Sequence, residues 1–103
     1  MQYSYRLARE AEDDLFESYL WYESQRTGLG DDFLDAIEIA RDLILSWPLS
    51  YQVVYKKVVR AHSVNKFPFR IFYVVEETEI NIIAVFHTAR NPKTWKRDLS
   101  KIP

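Results

Sequence analysis

The sequence contains no cysteine among its 103 residues, and this absence excludes several kinds of site at once. Without a thiol there is no disulfide framework, no cysteine nucleophile and no thiolate metal ligand. Only two histidines are present, His62 and His87, so a histidine-rich metal centre is not expected either. We therefore expect the protein to work without a metal or another cofactor.

Long apolar runs are also missing. No run approaches the ~20 residues that a membrane-spanning helix needs, and the opening residues MQYSYRLARE lack the apolar core of a signal peptide. These features predict a cytoplasmic protein with no membrane partner. A length of 103 residues with 48% hydrophobic residues predicts one globular domain that spans residues 1–103.

The net charge of −1 conceals two oppositely charged halves. Residues 1–53 carry four basic and eleven acidic side chains, a balance of −7, whereas residues 54–103 carry ten basic and four acidic side chains, a balance of +6. Two interpretations stay open. The basic half either binds phosphate or an acidic peptide, or it is one of two solvated faces that keep the protein soluble.

The first half has the period of two amphipathic helices. The only two glycines, in Gly28-Leu29-Gly30, predict that the first helix ends near Thr27, and Asp31 or Asp32 is predicted to cap the second. Pro48 ends the second helix. The apolar stripe of the first helix is Ala8, Ala11, Leu15, Tyr19 and Tyr22, and that of the second is Phe33, Ile37, Ala40, Ile44 and Trp47. Trp47 is expected to lie in the core.

The second half has the period of β-strands. Residues 53–61, 67–75 and 80–86 are rich in β-branched and aromatic residues, and residues 76–79 form a polar turn. A short aromatic strand is expected at residues 2–6. The order is therefore β-α-α-β-β-β with a short C-terminal segment. This order predicts an α+β fold in which a helical hairpin packs on one face of a small, mainly antiparallel sheet.

Strand alternation predicts which polar side chains meet. Phe67, Phe69, Ile71, Tyr73 and Val75 share the buried face of their strand, so we expect Arg60, Arg70 and His87 to meet on the uncovered face. Two guanidiniums and an imidazole are suited to grip and cleave a phosphodiester. In the alternative interpretation, the arginines pair with nearby carboxylates and His87 only caps its strand.

Several pieces of the sequence, in this order along nearly the whole chain, resemble the RelE/ParE superfamily of bacterial toxins. The pieces are AEDDL after Ala8, WYESQRTGLGDDFLDAIE, the Pro48–Tyr51 segment, Arg60, FPFRIFYVVE and IIAVFHTARNPKTWKRD. The resemblance implies the toxin of a type II toxin–antitoxin module, also described as a plasmid stabilisation protein. It also implies growth inhibition that a cognate antitoxin neutralises by forming a hetero-oligomer with the toxin.

The superfamily has two branches with different targets. ParE-like members inhibit DNA gyrase without cleaving nucleic acid, whereas RelE-like members are metal-independent endonucleases that cut mRNA on the ribosome. Arg60, Arg70 and His87 match catalytic positions of some RelE-like members, but Thr88 stands where a tyrosine would help. Because a net charge of −1 also disfavours ribosome binding, we expect the ParE-like branch. The third alternative is a degenerate member that only binds its antitoxin.

Two sets of residues are expected to contact partners. Phe16, Leu20 and Trp21 lie outside the main stripe of the first helix and are predicted to anchor an acidic antitoxin, with Trp21 near the centre of the contact. In the alternative interpretation Trp21 belongs to the core. The basic residues predicted to contact the target or its phosphates are Lys56, Arg90, Lys93, Lys96 and Arg97.

Overall fold

The computed structural model describes residues 2–89 together with Lys93, Lys96 and Leu99. A helical hairpin packs on one face of a five-stranded sheet. The elements are β1 (Ser4–Leu7), α1 (Arg9–Gln25), α2 (Leu29–Ser46), β2 (Val53–Tyr55), β3 (Val59–Ser63), β4 (Phe69–Glu76) and β5 (Glu79–His87). The sheet order is β1-β5-β4-β3-β2, in which β1 runs parallel to β5 and the other pairs are antiparallel. This architecture confirms the predicted α+β fold.

The structure has one more strand than the sequence pattern predicted. Residues 53–61 were expected to form a single strand, but a turn at Lys56 and Lys57 divides them into β2 and β3. Both lysines adopt left-handed backbone angles, with φ of 48° and 64°. This conformation is uncommon for residues other than glycine and asparagine, so the two lysines gave no turn signal.

The turn between the helices is tighter than predicted. α2 begins at Leu29 directly after Gly28, whose φ of 90° is left-handed, so neither Asp31 nor Asp32 caps the helix. Instead the carboxylate of Glu23 in α1 accepts the amides of Gly28 and Gly30 at 3.0 and 2.9 Å. A Cβ at Gly30 would lie 2.8 Å from the Tyr19 ring, so the close approach of the helices requires glycine there.

The main core lies between the hairpin and the sheet. α2 contributes four buried apolar side chains to it, three of them large, and β4 and β5 contribute the opposite wall. Phe33 is fully buried, and its ring lies 5.1 Å from the rings of Tyr22 and Phe69, tilted against the first and edge-on to the second. The buried members from the helices are Ala11, Phe33, Ile37, Ala40 and Ile44.

The other face of the sheet is largely buried, which contradicts the open face that the sequence pattern predicted. Its own side chains form a second buried apolar cluster, which Leu99 from the C-terminal part of the chain joins with only 3% exposure. The strand members of this cluster are Val59, Ala61, Phe72, Ile83, Ala84 and Phe86.

A β-bulge in β5 changes which residues face the helices. Phe72 pairs with Ala84 while the next residue, Tyr73, pairs with Ile82, so Ile83 is the extra residue. The strand alternation predicted from the sequence therefore inverts after Ile83. Beyond the bulge, the amide of Val85 donates to the Asp14 carboxylate of α1 at 3.1 Å, which ties the helix to the strand.

Candidate binding surfaces

The side chain of Arg60 lies on the helix-covered face of the sheet. Arg60 is directly opposite Tyr73 in the register of β3 and β4, and Tyr73 is a buried core residue. One nitrogen of its guanidinium donates to the carbonyls of Tyr51 and Leu49 at 2.6 and 3.2 Å. Arg60 therefore stabilises the connection between α2 and β2.

Two further side chains support the same connection. The Tyr73 hydroxyl donates to the carbonyl of Pro48 at 2.7 Å, and burial raises the pKa of Tyr73 to about 12. The His62 ring lies 4.2 Å from the Tyr51 ring, and burial lowers the pKa of His62 because the charged imidazolium loses solvation there.

Arg70 lies on the opposite face of the sheet. In the registers of β3, β4 and β5 it is opposite Ser63 and Phe86, and Phe86 belongs to the second cluster. Its guanidinium carbon lies 5.3 Å from the centre of the Phe72 ring, a cation–π distance. Of the three residues predicted to meet on that face, only Arg70 is there.

His87 lies on the helix side because of the bulge. It pairs with Phe69, whose ring is 5.2 Å away, and its Nδ1 accepts the amide of Ala89 at 3.0 Å. This hydrogen bond requires the neutral ring to carry its proton on Nε2. Without the bulge, the regular alternation of side chains would have placed His87 on the same face as Ile83, as the sequence pattern predicted.

The structure does not bring Arg60, Arg70 and His87 into one site. Arg60 and His87 are opposite Tyr73 and Phe69, which are four residues apart on β4, or about 13 Å along the strand. They also sit on strands on either side of β4, and Arg70 lies on the other face. The predicted juxtaposition is therefore wrong, whereas a catalytic role of any one of these residues stays a prediction.

His87 instead borders the same cavity as Trp21 of α1. The two residues line an open cavity of about 390 Å³ together with Ser18, Tyr22, Pro68 and Phe69. The Trp21 ring packs edge-on against Tyr22, with centroids 5.1 Å apart. This cavity combines aromatic walls with the Ser18 hydroxyl and the His87 ring.

The three predicted antitoxin anchors are all at the surface. Phe16, Leu20 and Trp21 are 63%, 50% and 59% exposed, so Trp21 is not a core residue. Phe16 and Leu20 are one turn apart on α1, while Trp21 lies about 100° further round the helix than Leu20. The anchors therefore form two adjacent strips, and a partner that contacts all three must cover the outer face of α1.

The predicted basic residues are described only in part. Lys56 lies at the tip of the β2–β3 turn and lines a cavity of about 640 Å³ with Arg6, Val74, Glu76 and Leu99 among others. Lys93 and Lys96 are exposed. Arg90 and Arg97 lie outside the described residues, as does Trp95, so the basic surface as a whole stays a prediction.

The sequence pattern missed one surface entirely. Trp47 was predicted to be a core residue but is 64% exposed, because α2 ends at Ser46 and Trp47 leaves the helical conformation. Ile39 and Leu43, at the preceding positions on the same side of α2, are also exposed. The signal was present in the sequence: α2 carries more apolar residues than its core stripe uses.

The fold defines a small α+β protein in which a helical hairpin covers one face of a five-stranded sheet. A family model described as the ParE toxin of the type II toxin–antitoxin system, parDE, matches residues 5–92. The chain therefore belongs to this family of toxins, as the resemblance had indicated. None of the helices in the described residues is long and apolar enough to span a membrane.

The fold is also found in a solved structure described as the chromosomal ParDE TA system from P. aeruginosa. The TM-score is 0.64 at 19% sequence identity, and the match covers 84% of this chain and 96% of the other. No curated protein was found to match the sequence.

Proposed function

We propose that this ParE-family toxin inhibits growth by acting on DNA gyrase and that an acidic antitoxin neutralises it. The family match over residues 5–92 carries the proposal. The separation of Arg60, Arg70 and His87 supports it further, because nuclease chemistry without a metal requires an acid or base beside the phosphate-binding cations.

A supercoiling assay with purified toxin tests the choice of target. We expect toxin to inhibit gyrase in a dose-dependent manner, and inducible expression to cause growth arrest with an SOS response while messages stay intact. His87→Ala and Arg70→Ala should keep this activity. Unchanged supercoiling in excess toxin, together with message cleavage that His87→Ala abolishes, would instead establish a RelE-like nuclease. Expression without any growth defect would indicate a member that only binds its antitoxin.

The antitoxin is proposed to cover the outer face of α1. Trp21 supports this placement because it combines a large exposed aromatic area with the cavity that it shares with His87. Aromatic anchors beside a pocket are where binding energy concentrates at protein interfaces. A segment that folds as it binds needs such anchors to offset its loss of conformational entropy.

Trp21→Ala should weaken antitoxin binding by about 30-fold or more, as expected for an anchor worth at least ~2 kcal/mol. Trp47→Ala is the matched control, since Trp47 is a tryptophan of nearly equal exposure directly after the end of the other helix. Calorimetric titration with the antitoxin encoded beside the toxin gene measures both. Equal affinities of wild type and Trp21→Ala would contradict the placement without affecting the gyrase proposal.

A further inference from the structure

The outer side and C-terminal end of α2 carry an exposed apolar surface that lies outside both core clusters of the described residues. Ile39, Leu43 and Trp47 are 61%, 42% and 64% exposed, and they follow one another at intervals of four residues. Residues at this spacing are neighbours on one side of a helix. Leu49, 61% exposed, follows in a turn that the Ser50 amide closes on the Trp47 carbonyl. We call Ile39, Leu43, Trp47 and Leu49 the α2 stripe.

The residues of the α2 stripe do not take part in the core. The opposite side of α2 already buries Phe33, Ile37, Ala40 and Ile44 against the sheet. Single exposed apolar residues are ordinary on a protein surface, but four large ones in succession along the last turns of a helix and just beyond its end indicate a contact site. The α2 stripe is also separate from the proposed antitoxin anchors, which lie on α1.

The charges around the α2 stripe indicate its partner. Lys66 lies beside Ile39 in one cavity, but Asp32 and Asp35 line the same cavity and outnumber it. α2 contains five acidic residues and one basic residue, so its own balance is −4. With about 100° per residue, Asp35 and Asp42 lie within about 60° of Ile39 around the helix. The only cation of α2, Arg41, is turned to Asp42 and Tyr5, with distances of 3.1 Å to each. A partner is therefore expected to bring positive charge to the edge of its apolar contact.

We propose that the α2 stripe binds an amphipathic helix with a basic rim, supplied by a partner protein. The distance from Ile39 to Trp47 is about 12 Å, or two turns, which matches apolar anchors at i, i+4 and i+8 of a facing helix. A second copy of α2 fits less well because two acidic rims would face each other. An acidic antitoxin segment is disfavoured here for the same reason.

Two synthetic peptides test this proposal on the intact protein. Both carry the same leucine anchors at helical spacing, and they differ only in having lysine or glutamate at the rim positions. We expect the lysine peptide to bind at least about tenfold more tightly at low salt, and the difference to shrink at 0.5 M salt because the rim charges are exposed. Leu43→Ser and Trp47→Ser should weaken binding, whereas Phe16→Ser and Leu20→Ser on α1 should not.

Charge reversal provides the sharper comparison. Asp35→Lys combined with Asp42→Lys should reverse the preference, so that the glutamate peptide binds better. Asp13→Lys combined with Glu17→Lys changes the net charge equally on α1 and should leave the preference unchanged. Thermal unfolding of each variant confirms that it is folded.

Three results would overturn the proposal. The first is equal affinity for the two peptides, and the second is unchanged binding by Leu43→Ser and Trp47→Ser. The third is a wild-type dimer in sedimentation that Leu43→Ser converts to monomer, since this assigns the α2 stripe to a second copy. None of these measurements depends on toxicity. If the α2 stripe proposal fails, the gyrase proposal is unaffected, and if the gyrase proposal fails, the α2 stripe proposal is unaffected.

Discussion

α1 and α2 are nearly equal in length, with 17 and 18 residues, but they are attached to the rest of the molecule by different means. α1 buries only Ala11 completely, whereas α2 buries five residues. α1 relies on polar contacts with other elements: Asp14 accepts the Val85 amide, and Glu23 accepts the amides of Gly28 and Gly30. An acidic helix can therefore be held in place by its carboxylates as well as by its apolar stripe.

The two helices also expose different surfaces. α1 presents Phe16, Leu20 and Trp21, and α2 presents the α2 stripe, so each side of the hairpin has apolar area beyond what the core requires. Trp21 shares a cavity with His87 of the sheet, while the α2 stripe is bordered by acidic residues of its own helix. The hairpin therefore exposes two apolar surfaces with different chemical surroundings.

The largest loss of stability is expected from a substitution in the part of the core that α2 forms. Phe33→Ala removes a fully buried ring that touches Tyr22 and Phe69, so it should lower the free energy of unfolding by ~3–5 kcal/mol through lost burial and a cavity. Leu15→Ala, at a half-buried position of α1, should cost clearly less. Urea unfolding measures both, and equal losses would show that α1 depends on apolar burial as much as α2 does.

The next largest loss of stability is expected when the polar attachment of α1 is removed. Asp14→Ala leaves the Val85 amide without its charged acceptor and should cost ~1.5–3 kcal/mol, as for a hydrogen bond to a charged group. Asp14→Asn keeps a neutral acceptor, so its stability should lie between those of wild type and Asp14→Ala. Asp13→Ala, at an exposed neighbouring position, is the control and should change stability by less than ~0.5 kcal/mol. A loss no larger than that of the control would refute the role of Asp14.

A smaller loss of stability is expected from a substitution at the connection between α2 and β2. Tyr73→Phe removes the hydroxyl that donates to Pro48 and should cost ~1 kcal/mol at neutral pH. The folded phenol keeps its proton up to about pH 12, while an unfolded tyrosine releases it near pH 10.0, so wild-type stability should fall as the pH rises between these values.

Tyr73→Phe cannot ionise at this position, so its stability should fall less over that range and approach or exceed the wild-type value. Tyr3→Phe is the control and should keep the alkaline loss of stability, because Tyr73 is still present. A parallel decline of wild type and Tyr73→Phe, measured by thermal unfolding from pH 8 to 11, would contradict the assignment.

The smallest effects are expected from the exposed tryptophans. Trp21→Ser and Trp47→Ser should each change the free energy of unfolding by less than ~0.5 kcal/mol, because both rings lie largely in solvent. Their consequences should differ only in binding: the first affects the antitoxin, and the second affects the basic amphipathic peptide. A stability loss of several kcal/mol in either variant would mean that its ring supports the fold.

Prediction from sequence worked best where the spacing of apolar residues stayed regular along a whole helix or strand. The helical stripe from Phe33 to Ile44 and the alternating residues of β4 were predicted correctly because each faces a single continuous core. The prediction failed at the Lys56-Lys57 turn, where neither residue is a usual turn former, and at Trp47, which lies just beyond the last helical residue. Arg60 was placed on the wrong face because the apolar residues of its strand were assumed to face the helices, whereas Val59 and Ala61 pack in the second cluster.

The sequence by itself determined the fold class and the family, since hydrophobic period and the matching motifs are properties of the chain that tertiary contacts do not alter. It also determined that Phe16, Leu20 and Trp21 lie off the core stripe of α1. Only the tertiary structure decided which side chains meet. One extra residue at Ile83 inverts the alternation of β5 and carries His87 from the side of Arg70 to that of Trp21. A bulge depends on how two strands pair, and such pairing is a contact between distant segments that no local pattern contains.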